Sequence, residues 1–361
     1  MAQTALVTGA CGFTGGHMVE LLVDNGWNVV ATDLEGTERD AYYTEGEGAV
    51  PSPVYYKDVF ADGGVEFIPA DLTEAETLEP VFAAHEYDAI FHIASLFDYF
   101  AEMEVLQAVN VDGARNLAEK AIEHDVGHFI HWSTLGVLGD AGFDSPKTED
   151  APYEPHNRYC VSKVDQEELL LDLHENEGLP LTIIRPAPIY GPRHRYGVYH
   201  ILLLLRKFGT VFVTRIYPRS KQPMFPSVHV TDLTEAALFL QEQGDVAIGE
   251  TYNVTSDCLA QDTILEFLGG ALGVRSHRLP LPYSLFKLYA RFTKWSAHRL
   301  ERKARSHDMR PKIDASMTHY LGHNMWFSNE KLTDLGFEFT YRDPRRGLWD
   351  YITWCKEEGL I

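Results

Sequence analysis

The sequence predicts an α/β protein: a doubly wound parallel sheet with a smaller, mostly helical C-terminal substrate lobe. Three observations predict it. Short apolar runs alternate with amphipathic stretches of helical length up to about residue 185, a glycine-rich turn follows the first run directly, and the alternation loosens beyond 185. The runs at 5–7, 28–31, 65–68, 89–93, 128–132 and 181–184 read as strands, and 13–25, 73–84 and 105–124 read as helices between them. One more strand-helix pair spans 227–240, so residues 1–185 and 226–257 are assigned to the sheet domain and 186–225 with 258–361 to the lobe.

Residues 36–63 interrupt the rhythm with Gly, Pro, Glu and four tyrosines. A stretch this long is either a surface insertion or a functional flap, and both readings stand. From Arg275 to Lys312, eleven Lys/Arg oppose only Glu301 and Asp308. A helix over 285–305 would gather Leu285, Leu288, Tyr289, Phe292 and Ser296 on one face, with Lys287, Arg291, Lys294, His298 and Arg305 on the other. It could be an ordinary helix docked on the core with a solvated basic face, or an interfacial helix near an anionic membrane surface or an apolar substrate.

With 361 residues and 45% apolar content, the chain can bury a large core. A net charge of -22 argues against nucleic-acid binding, which needs a basic face, and fits a soluble protein or one from a salt-adapted host. Cys11, Cys160, Cys258 and Cys355 stand apart with no CxxC pair, which indicates neither a zinc site nor a disulfide framework. The N-terminus runs straight into a strand without signal-peptide features, and no apolar run is long enough to span a bilayer, so a cytoplasmic protein is expected.

The turn after the first strand reads Thr8-Gly9-Ala10-Cys11-Gly12-Phe13-Thr14-Gly15-Gly16. Glycines at 9, 12 and 15 allow a tight turn, close approach of backbone to a pyrophosphate, and close helix-strand packing, while the helix N-terminus faces the anion. Asp33, at the end of the second strand, can accept both ribose hydroxyls of an adenosine and would repel a 2′-phosphate. NAD is therefore expected rather than NADP, with Arg39 the one nearby residue that speaks for the phosphate.

Tyr159 and Lys163 stand four residues apart at the start of a predicted helix, on one face. A phenol titrates near 10, so a base acting near neutrality needs a shift of roughly 3 units, or ~4 kcal/mol. A cation ~4 Å away at an effective dielectric of ~20 supplies about that much. The same spacing recurs at Tyr217/Lys221 and Tyr283/Lys287, but Pro218 spoils the first as a helix and the second lies in the basic stretch. Only the first pair follows a strand end carrying hydroxyls, Ser133 and Thr134, where ligands sit in open α/β sheets.

In this order the motifs strongly resemble the extended short-chain dehydrogenase/reductase superfamily, which includes NAD-dependent epimerases, dehydratases and 3β-hydroxysteroid dehydrogenase-like enzymes. The resemblance spans roughly residues 4–240. It rests on the glycine turn, Asp33, Asp71-Leu72, Phe91-His92-Ile93-Ala94-Ser95, Asn110-Val111-Asp112-Gly113, Ser133-Thr134, Tyr159 with Lys163, Arg185-Pro186-Ala187-Pro188-Ile189-Tyr190-Gly191-Pro192, and Val228-His229-Val230-Thr231-Asp232. It implies a Rossmann domain in which Gly9, Gly12, Phe13, Gly15, Asp33, Asp71, Leu72, Ala94, Tyr159, Lys163 and Pro186 contact NAD, with Asp71 and Leu72 flanking the adenine. It implies further that Tyr159, Lys163 and Thr134 are catalytic, that Asn110 belongs to the helix below the site, where a structural role is favoured over a catalytic one, and that the protein is a homodimer packed through the helices around 105–124 and 157–176.

Two departures bear on substrate. Val137-Leu138-Gly139 replaces the family's usual Val-Tyr-Gly, and Gln222-Pro223-Met224-Phe225-Pro226 lacks the arginine that contacts the diphosphate in many sugar-nucleotide enzymes. Arg193, Arg195, Arg215 and Arg219 could serve instead. The expectation is an apolar, steroid-like hydroxy substrate, supported by Phe97-Asp98-Tyr99-Phe100 and the 285–305 stretch. The alternatives are a nucleotide-sugar epimerase, favoured over a dehydratase because Leu135-Gly136 offers no acid/base carboxylate, and a non-catalytic NAD sensor. No metal site is expected, and His92, His131 and His229 read as core residues.

Overall fold

The computed structural model describes residues 2–34, 65–306 and 323–361. The 36–63 insertion, Arg39 and the end of the basic segment, including Arg310 and Lys312, lie outside the described residues. The chain divides into two compact units, one of residues 1–137, 157–185 and 233–252, the other of 138–156, 186–232 and 253–361.

The first unit is built on β1 (Thr4–Thr8), β2 (Asn28–Thr32), β3 (Val65–Phe67), β4 (Ala89–His92), β5 (Phe129–Trp132) and β6 (Leu181–Pro186). With Thr251–Val254 at one edge they form a seven-stranded parallel sheet, which runs from that edge through β6, β5, β4, β1 and β2 to β3. The order reverses between β1 and β4, which opens a crevice at their C-terminal ends. β4, β5 and β6 are buried along their whole length, as expected when helices cover both faces. Leu6, Ile90, Phe129 and Ile183 share one core with Leu117 of α2 (Gly113–Glu123) and Leu170 and Leu173 of α3 (Arg158–Glu177). Each such side chain contributes roughly 1.5–3 kcal/mol of burial.

The helix expected over 105–124 forms with an internal change of pitch. Met103–Leu106 and α2 are joined by a π-helical stretch, Gln107–Asp112. The cause is visible at Asn110, which is fully buried. Its amide accepts from Leu96 N at 2.7 Å and donates to Ser162 Oγ at 3.0 Å, tying the helix both to the loop that follows β4 and to α3. π-bulges of this kind concentrate where a side chain must be aimed.

The second unit holds three small strand pairs and several helices. Thr210–Tyr217 pairs in parallel with Arg275–Pro282, and Tyr190, Leu202, Val213, Leu268, Leu348 and Tyr351 form its core. The Asp232 carboxylate accepts from the Thr340 and Tyr341 amides at 2.7 and 3.1 Å, anchoring the C-terminal segment.

The helix predicted over 285–305 is present as Tyr283–Arg305, but its apolar stripe is not the docked face. Phe286 and Ala297 are buried, with Ala290 and Thr293 half-buried along the same line, whereas Leu285, Leu288, Tyr289, Phe292, Trp295 and Leu300 are all exposed. Periodicity reveals a stripe; it does not say which side meets the core.

Candidate active site

The glycine turn sits at the reversal point of the sheet. Gly9 has φ +64°, and a Cβ there would lie 2.8 Å from the Ala94 Cα, just past β4. A Cβ on Gly15 would lie 2.0 Å from the Gly9 carbonyl oxygen, so only hydrogen fits between turn and helix. Gly12 donates its N–H to that same oxygen at 2.9 Å and caps α1 (Phe13–Asp24) without any side-chain bond. Backbone rather than a capping side chain thus surrounds the N-terminus of α1, the end of a helix that favours negative charge.

Asp33 follows β2. Its carboxylate accepts from Cys11 N at 3.0 Å and Leu34 N at 2.8 Å, which holds it beside the turn. Burial raises its pKa and those two hydrogen bonds oppose the rise. Asp71 follows β3 and accepts from Thr73 N and Oγ1, at 2.9 and 2.7 Å. Next to it Leu72 is buried against Gly113 of α2, its carbonyl taking the Asn116 amide at 2.8 Å. Phe13 packs edge-on to His17, and Pro186 is the last residue of β6 and begins the second unit.

Tyr159 and Lys163 lie on the first two turns of α3. Asn157 caps that helix by accepting from Cys160 N at 2.8 Å, and Gly178 ends it at φ +82°. Thr134 leaves the end of β5 and accepts from Gly136 N at 3.1 Å. A Cβ on Gly136 would lie 2.7 Å from Cys160 Sγ, so this turn is pressed against the residue next to Tyr159. The tyrosine ring is nearly buried, with the edges of Phe97 and Tyr99 against it at centroid distances of 5.0 and 5.9 Å.

Lys163 is fully buried. Its ammonium donates to the Trp132 carbonyl at 2.7 Å and to Gln166 Oε1. Burial pulls its pKa down to about 7, while the Glu167 carboxylate pulls the other way. The chain of contacts continues inward: Gln166 Nε2 lies 3.4 Å from His92 Nε2, and His92 Nδ1 lies 2.9 Å from Thr8 Oγ1. Thr8 Oγ1 in turn accepts from the Ile93 and Ala94 amides, both at 3.2 Å. The lysine is thus linked by side chains to the strand that carries the glycine turn.

A second buried group braces the same helix. Arg185 donates to both oxygens of Glu167, at 3.0 and 2.6 Å, and Ser133 Oγ donates to Glu167 as well. Ser133 is therefore committed to holding β5, α3 and β6 together, whereas the Thr134 hydroxyl is engaged only locally, by the Gly136 amide two residues on. Gln166 and Glu167 were not singled out from the sequence. The available signal was their spacing, three and four residues beyond Lys163 on one helical face. Among the described residues no group of three or more His, Cys, Asp or Glu is arranged to hold a metal ion.

The model of the NAD dependent epimerase/dehydratase family matches residues 5–255, and the chain belongs to that family. An uncharacterized Escherichia coli protein, YbjS, is 25% identical over 342 residues, covering 93% of this chain and 88% of its own. The sterol-4-alpha-carboxylate 3-dehydrogenase, decarboxylating, of Bos taurus is 30% identical over 195 residues, 53% of this chain and 48% of its own. Among solved structures, the UDP-glucose 4-epimerase of Thermotoga maritima, determined with UDP-glucose, is similar with a TM-score of 0.70 at 21% identity, covering 99% of both chains. At that identity the likeness is one of fold. The protein is an NAD-dependent enzyme of the extended short-chain dehydrogenase/reductase type.

Proposed function

We propose that the chain interconverts a secondary alcohol and a ketone, and that its substrate is an apolar, steroid-like hydroxy compound. The observation that carries this reading is the aromatic wall of Phe97 and Tyr99 around the Tyr159 ring, which favours an apolar molecule next to the proton-transferring hydroxyl. NAD, when bound, accepts or supplies the hydride. Gly9, Gly12, Phe13, Gly15 and Ala94 would hold its pyrophosphate side, Asp33 its adenosine ribose, Asp71 and Leu72 its adenine, and Pro186 with Lys163 its nicotinamide end. Tyr159 takes or gives the hydroxyl proton at its phenolic oxygen, Thr134 Oγ1 orients the substrate oxygen, and Lys163 favours the phenolate through its charge. In this assignment residues 1–185 and 226–257 bind NAD, and 186–225 with 258–361 bind substrate.

The second reading is nucleotide-sugar epimerisation, favoured by the likeness to the Thermotoga maritima fold. Two features of the second unit weigh against it. Gln222 is buried and turned to backbone, accepting from Ile216 N at 2.7 Å. Arg219 and Arg215, which could have contacted a diphosphate, pair instead with Asp262 and Glu266. A non-catalytic NAD sensor would not need Tyr159 and Lys163 together. We also propose a cytoplasmic homodimer, for which light scattering should return twice the chain mass.

The test is to denature the purified protein without added cofactor and measure released NAD(H), then to follow NADH formation with 3β-hydroxysteroids and with UDP-glucose. Little released cofactor with steroid-dependent NADH supports the proposal. Near-stoichiometric NAD(H), with UDP-glucose converted to UDP-galactose and no steroid oxidation, establishes the second reading in its place.

A further inference from the structure

The helix Tyr283–Arg305 departs from the rest of the molecule in two ways at once. It carries seven Lys/Arg against Glu301 alone, a net charge of +6, so the remaining chain carries -28. It also concentrates six of the exposed large apolar side chains. Leu288, Phe292 and Leu300 are 64%, 61% and 60% exposed, and Leu285, Tyr289 and Trp295 each more than half exposed. Spacings of three and four residues place Leu285, Leu288, Tyr289, Phe292 and Trp295 on one face. Phe286, Ala290, Thr293 and Ala297 form the docked line, and Lys287, Arg291, Lys294 and Arg302 occupy the remaining, exposed side.

We propose that this helix is an interfacial contact that docks the protein on an anionic lipid surface, its Leu, Phe and Trp side chains entering the headgroup boundary and its basic side chains meeting phosphate. Charge selects this occupant. Two copies pairing through the stripe would bring +6 against +6, a like-charge contact that costs rather than stabilises. An anionic bilayer attracts each Lys or Arg near its surface, whereas the acidic body is screened beyond about 8 Å at physiological salt. Exposed aromatic and leucine side chains beside a basic face are what an in-plane helix requires. The Arg299 guanidinium, 5.6 Å from the Trp295 ring centroid, lies over the apolar stripe where a headgroup would be met. The contact is peripheral: no helix among the described residues is long and apolar enough to cross a membrane. This inference does not depend on the identity of the substrate.

The experiment is co-sedimentation of the full chain with phosphatidylcholine vesicles, with and without phosphatidylglycerol, while Trp fluorescence is recorded. Anionic vesicles should bind the protein and shift its emission to the blue, and added salt should release it. Neutral vesicles should bind at least tenfold less. The variant Lys287→Glu/Arg291→Glu/Lys294→Glu should lose on the order of 100-fold in partition, and Phe292→Ser/Trp295→Ser should lose binding at low salt as well. Circular dichroism and NAD affinity should be unchanged in both, since the substitutions lie outside the glycine turn, Asp33 and Lys163. Absence of binding to anionic vesicles, or equal binding by the charge-reversed variant, overturns the proposal. So does a dimer mass that Phe292→Ser/Trp295→Ser converts to monomer, because a second copy would then be the occupant.

Discussion

Lys163 has three N–H donors and no acceptor, and its buried position makes every one of them matter. Trp132 and Gln166 supply two acceptors, and Gln166 is itself held by His92. Replacing Gln166 by Leu should lower the lysine pKa further from about 7, so the alkaline loss of activity should move to lower pH, while Gln166→Glu should move it up. A shift of about one unit in the kcat profile is expected; a uniform fall in kcat at every pH would mean that Gln166 only supports packing. At Gly15 the constraint is steric. A methyl 2.0 Å from the Gly9 oxygen must open the turn, so Gly15→Ala should weaken NAD binding at least tenfold by calorimetry. Such positions were legible in the sequence because glycine identity and local spacing encode them. Gln166 and its partners were not, since His92 and Thr8 reach it only through the sheet.

The end of β5, helix α3 and strand β6 are joined by the Glu167 carboxylate, buried with Arg185 and Ser133. Removing one member leaves the other charge buried and unpaired, a loss of about 3–5 kcal/mol. Glu167→Leu should therefore lower the urea midpoint sharply, and a change within error would show that the pair is dispensable. The strands and most helices were legible as alternating runs, because a sheet covered on both faces needs apolar residues at successive positions. Two features were not. The π-helical stretch at Gln107–Asp112 answers to hydrogen bonds Asn110 makes with distant segments, and the docked side of Tyr283–Arg305 is set by a line of smaller residues that periodicity ranks below the exposed stripe.

At the scale of the molecule, three histidines of the first unit are held neutral by burial. His92 is lowered to about 3, His128 to about 4, and His131 well below its usual value, with neither of its ring nitrogens hydrogen-bonded among the described residues. Below about 6.5 the unfolded chain binds protons that the native chain does not, so stability must fall as pH falls from there towards 4. Each histidine contributes roughly 1.4 kcal/mol per pH unit in that window. His131→Phe should remove one such contribution and flatten urea-derived stability between pH 6 and 4; an unchanged slope would show that His131 is already protonated in the native state. The acidic surface and the basic helix coexist in one chain because they lie on different parts of it, a separation that total charge conceals.

Tyr159 is the group we propose as the carrier of the substrate proton. Its most direct test is Tyr159→Phe, with steady-state turnover and NAD affinity measured on the same preparation. Turnover should fall by about three orders of magnitude or more while the NAD dissociation constant stays within a few-fold, since losing one hydroxyl removes the proton carrier but leaves the glycine turn, Asp33 and Lys163 in place. Turnover retained within tenfold would contradict the assignment and place the proton transfer elsewhere.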